Sequence, residues 1–169
     1  MRRRHILGAL ALVLAAVLLQ TTAFAPNRIQ PFGAGPDLVL LVVLACSRHL
    51  DAEPALLVGF TAGFLVDLLG ASPLGLWAMA LTVVAYAVIR LRDREVEGPF
   101  LLVGVFALTL LGETAFVALG TLFGQQTLLG GQVLRKVLLA GVYNVLLAVP
   151  ILWGTARLLA AGPSRRWAR

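Results

Sequence analysis

From Ile6 to Ala25 the chain runs without a charged residue, and five more apolar runs follow, each set off by a short polar break. A backbone carried into hydrocarbon finds no water to bond to. A run of about 20 such residues is therefore restricted to a helix that can cross a bilayer. The runs fall at about 6–25, 37–50, 54–70, 76–91, 100–123 and 133–159. With 60% hydrophobic and 13% charged residues in 169, they predict an all-α integral membrane protein. Its fold class is a six-helix transmembrane bundle, a single polytopic domain over 1–169.

The distribution of charge sets the expected topology. If all six runs cross, eleven of the fourteen Lys and Arg residues share the side of the N-terminus; if the second run does not cross, only five do. Cytoplasmic segments carry the excess of basic residues, so six crossings with both termini cytoplasmic are expected. The net charge of +6 then reports orientation, and no interleaving of aromatic and basic residues marks a nucleic-acid partner. Arg2–Arg4 and Ala23-Phe24-Ala25 resemble the ends of a signal peptide. The apolar core exceeds the roughly 7–15 residues of such a peptide and Pro26 opposes cleavage, so the segment is expected to remain as the first span. The second run reaches only about 21 Å, with Arg48 and His49 expected to snorkel to the interface. Asp37, after Pro36, suits a helix start, where the dipole favours a carboxylate; a contact with a partner is the alternative.

Pro54 to Gly75 is the most informative stretch. At about 100° per residue, Gly59, Gly63, Asp67 and Gly70 fall within an arc of roughly 80°, so the carboxylate lies on the glycine stripe. In lipid such a stripe admits another helix backbone, and an ionisable group on it is expected to face protein or water. The expected topology puts Asp67 and the first turn of the sixth run near the same surface. An ion pair of Asp67 with Arg135 or Lys136 is one reading, and contact with the outer water layer the other. Glu113 lies near the middle of the fifth run, the costliest depth for a carboxylate. Tyr143 and Asn144 fall at comparable depth and are its expected hydrogen-bond partners; a ligand or ion site and a contact with another protein's helix are the alternatives.

Catalytic patterns are missing. His5 and His49 have no third ligand at metal-binding spacing, and Ser47, Ser72 and Ser164 have no histidine placed as a base. No glycine-rich phosphate loop carries a lysine. Cys46 is the single cysteine. No enzyme activity, metal or cofactor is expected.

The order Pro36-Asp37-Leu-Val-Leu-Leu, then Gly59-Phe-x-x-Gly63-x-x-x-Asp67-x-x-Gly70-x-Ser72-Pro73-Leu-Gly75, then Tyr86…Arg90-Leu-Arg92, resembles the rod shape-determining protein MreD family. The resemblance covers residues 36–92. It implies a non-catalytic protein of the bacterial inner membrane that holds or regulates the complex inserting peptidoglycan along the side wall. The implied partners are MreC, the actin-like MreB, the RodA glycosyltransferase and an elongation-class penicillin-binding transpeptidase. The family is also similar in fold to the S-components of energy-coupling-factor transporters, which leaves a substrate-binding subunit of a vitamin-type transporter as the alternative function. Carried over by position, Asp37, Gly59, Gly63, Asp67, Pro73 and Gly75, with Gly70 inside the same block, are expected to serve packing and partner docking.

Overall fold

The computed structural model describes residues 2–24, 34–70, 72–92, 99–125 and 132–159. They form six helices: α1 (Arg2–Ala23), α2 (Leu38–Ser47), α3 (Ala52–Leu69), α4 (Leu76–Leu91), α5 (Pro99–Leu122) and α6 (Val133–Leu159). The turn-rich connector after Ala25, the charged connector beyond Arg92, most of the glutamine-rich loop and the basic tail lie outside the described residues. Four helices, α1, α3, α5 and α6, are long and apolar enough to cross a membrane, while α2 and α4 are shorter. α4 and α6 coincide end to end with the apolar runs, and α6 continues as one helix through Pro150.

The largest departure from expectation is α2. Its ten residues reach about 15 Å, well short of the roughly 30 Å hydrocarbon core, yet every one of them is buried. The helix touches all five others. Leu-Val-Leu-Leu-Val-Val-Leu-Ala-Cys is apolar on all sides, the pattern of a helix surrounded by protein. α2 is therefore the axis of the bundle. A short helix is tolerated there because protein packs around it along its whole length. Arg48 and His49 follow it in a turn in which Cys46 O accepts from the His49 and Leu50 amides at 3.0 and 3.1 Å. At its start, Leu40 N donates to Asp37 Oδ1 (3.1 Å) and Val39 N to Gln20 Oε1 of α1 (2.9 Å). Two first-turn amides, which the helix itself leaves without acceptors, are thus satisfied. α1 packs on this axis through Ala9, Val13, Ala16 and Val17.

The glycine stripe of α3 faces α4, its neighbour in the same chain. A Cβ built on Gly59 would lie 2.9 Å from Leu81 O and 3.0 Å from Ala85 Cβ. On Gly63 it would overlap the Trp77 carbonyl and stand 2.5 Å from Ala78 Cα. A second backbone does approach the stripe, and it is the chain's own. Gly59 and Gly63 are buried against α4, the packing half of the expectation for this stripe, while Gly70 is exposed. Gly63→Leu sets a side chain against main-chain atoms that cannot rotate away. It is expected to cost more than the about 1–3 kcal/mol of ordinary overpacking, read as a large fall in melting temperature in detergent. Gly154→Ala, with nothing within 4 Å of the added carbon, is expected to leave the melting temperature unchanged.

Candidate functional site

The last turn of α3 delivers Asp67 to the start of α4, where it is 2% exposed. Between them the chain turns sharply. Gly70 closes α3 in an extended conformation, with its amide on Val66 O at 2.8 Å. Gly75 precedes α4 at φ 100°, a left-handed conformation that side chains rarely adopt. Having no side chain, Gly75 cannot cap the helix it begins, and Asp67 supplies the acceptor from the previous helix. Its Oδ2 accepts from Gly75 N at 2.9 Å and Ala78 N at 3.2 Å. Its Oδ1 accepts from Trp77 N at 3.2 Å and Ser72 Oγ at 2.8 Å. Leu76 N bonds to Pro73 O and Met79 N to Gly75 O. Every amide from Gly75 to Met79 therefore has an acceptor. The negative group also sits at the positive end of the α4 dipole, and donors on both oxygens suit an ionised carboxylate.

Neither Arg135 nor Lys136 is among the partners of Asp67; both are exposed. Of the two readings for Asp67, neither the ion pair nor contact with the outer water is found among the described residues: the carboxylate is 2% exposed and donors of the hairpin itself occupy it. Pro73 and Gly75 serve the same turn. Trp77, whose amide is held by Asp67, stacks its ring on Phe116 of α5, with centroids 4.3 Å apart and planes 19° apart. The hairpin is thereby fixed to the next helix as well. At the far end of α4, Arg92 Nη1 donates to Leu50 O at 2.7 Å, fastening α4 to the turn after α2.

A second polar group lies where α2, α5 and α6 meet. Asp37 is buried, and its Oδ2 has no hydrogen-bond partner among the described residues. Glu113, on α5, is half-buried. The expected Glu113–Asn144 bond is not made. Asn144 Nδ2 donates to Thr109 Oγ1 at 3.2 Å, one turn earlier on α5. Tyr143 stands beside Asn144, half-buried. Gln20, Ser72, Trp77 and Phe116 complete the capped helix starts, and sequence reasoning does not single them out as site residues. Gln20 offers the one available signal, an amide in a run otherwise apolar up to Thr21. No group of three His, Cys, Asp or Glu among the described residues is arranged to hold a metal ion.

A family model described as rod shape-determining protein MreD matches residues 2–154. No curated protein and no solved structure matches the chain.

Removing the Asp67 carboxylate leaves three amides and a hydroxyl without acceptors, each costing about 1–3 kcal/mol when buried. Asp67→Ala is expected to destabilise the protein by at least about 4 kcal/mol in denaturant titrations in mixed micelles. Asp67→Asn keeps one acceptor oxygen for two of the four donors but turns an NH2 toward the others, and is expected to cost about half as much. Arg135→Gln with Lys136→Gln is expected to change nothing measurable.

Proposed function

The chain belongs to the rod shape-determining protein MreD family, and on that premise we propose that it is a non-catalytic membrane subunit holding together the machinery that extends the side wall. Family membership assigns it to cell-shape determination in a membrane. In our reading it crosses the bacterial inner membrane six times with both ends cytoplasmic. It works beside MreC, MreB, the RodA glycosyltransferase and an elongation-class penicillin-binding transpeptidase.

The observation that carries this reading is the internal use of the family motif. Gly59, Gly63, Asp67, Ser72 and Gly75 close the α3–α4 hairpin on itself, which suits a rigid body that presents its outer faces to others. One such face lies along α6, where Leu134, Leu138, Val142, Leu146, Val149 and Trp153 are all exposed. Steps of three and four residues keep this stripe on one side of the helix. Over about 29 Å it matches the hydrocarbon thickness. A single membrane-crossing helix such as that of MreC fits a face of this length, held by close packing. The residues expected to line a transporter-type ligand cavity do not favour that alternative, since Asn144 is bonded to Thr109.

A photo-crosslinking residue at Leu146 is expected to capture MreC in cells, and one at Phe64, on the outer side of α3, to capture it at least several-fold less. Equal capture at both positions, or none at Leu146, contradicts the α6 face. In a strain depleted of the native protein, wild-type chain is expected to restore rod shape and Asp67→Ala to leave cells rounded.

A further inference from the structure

In the first turns of α5, Leu102 and Val105 pack on the core while the face that carries Gly104 is open. At Gly112 the helix is pressed against α2 and α4, and an added Cβ would come within 2.5 Å of Leu40 Cδ1 and 2.9 Å of Val84 Cγ2. Two turns earlier, at Gly104, an added Cβ meets nothing within 4 Å. The space between is a lateral groove of about 340 Å³, with apolar walls that include Leu44, Val88, Phe100 and Leu108. Arg48, just past the end of α2, and Arg92, at the end of α4, also line it, and both are exposed.

Length and charge select the occupant. The α5 wall from Phe100 to Leu108 is about 12 Å long, comparable with the roughly 15 Å depth of one leaflet's hydrocarbon. A membrane-crossing helix needs twice that, and the groove is closed at Gly112. An acyl chain fits the length. Arg48 and Arg92 mark the end of the groove where a headgroup would lie; Arg92 is held on Leu50 O, so Arg48 is the guanidinium offered to a phosphate, whose oxygens it binds in a fork. This is also the end that the excess of basic residues assigns to the cytoplasm, the side of the anionic lipid surface. We propose that the groove binds an anionic phospholipid, with one acyl chain between α4 and α5 and the phosphate against Arg48.

Native mass spectrometry of the full chain, titrated with phosphatidylglycerol and with phosphatidylcholine of the same acyl chains, tests this. One phosphatidylglycerol is expected to be retained in clear preference to phosphatidylcholine. Arg48→Gln is expected to weaken phosphatidylglycerol binding about fivefold and leave phosphatidylcholine unaffected. Gly104→Leu, which fills open space, is expected to abolish retention of both lipids at an unchanged melting temperature. Equal retention of the two lipids by the wild type overturns the proposal, as does undiminished phosphatidylglycerol binding by a folded Gly104→Leu variant. Capture of a protein segment instead of lipid by a crosslinker at Val103 also overturns it. If Gly104→Leu does not fold, the lipid preference and the Arg48→Gln response decide the matter.

Discussion

A helix that begins inside a membrane protein exposes amides to a medium without water, and in α4 the preceding helix answers them. Asp67 accepts from three of these amides and from Ser72, so the end of α3 and the start of α4 are joined through one carboxylate. The glycines below it let the two backbones lie in contact. Bond and contact depend on each other: the carboxylate reaches the amides because the backbones are close, and the polar junction is shielded because they stay close. The stack of Trp77 on Phe116 then carries the placement of the hairpin to α5.

The same device recurs at the centre. α2 is too short to cross alone and too apolar to face water, and its first turn is capped by Asp37 and by Gln20 from α1. Five helices around a buried axis give the bundle an interior that owes nothing to lipid, while large apolar side chains of α5 and α6 remain outside. This division suits a protein whose work is to hold others: the inner contacts fix its shape, and its outer faces remain for lipid and partners.

Much of this is legible in the residues. Uncharged runs locate the helices, and the glycine stripe announces a close backbone contact with a carboxylate on it. The stripe does not say which backbone, because helical spacing orients a face without naming its neighbour. Charge-pairing rules direct Asp67 toward a cation, since they are simple to apply to a list of residues; the actual donors are main-chain amides, which every sequence has and none displays. The central place of α2 is signalled by its lack of any polar face and by a length short of a span, although the charge distribution favours counting it as a crossing. The bond of Asn144 to Thr109 depends on tertiary packing and has no local signal.

The central claim is that the Asp67 carboxylate closes the α3–α4 hairpin by capping α4. Hydrogen–deuterium exchange of the full chain in lipid nanodiscs, resolved for the amides of Gly75, Trp77 and Ala78, tests it most directly. The account predicts that these three amides are among the most slowly exchanging of the turn and first helical turn, and that they lose protection together in Asp67→Ala. Rapid exchange in the wild type, or protection that survives the loss of the carboxylate, would contradict it.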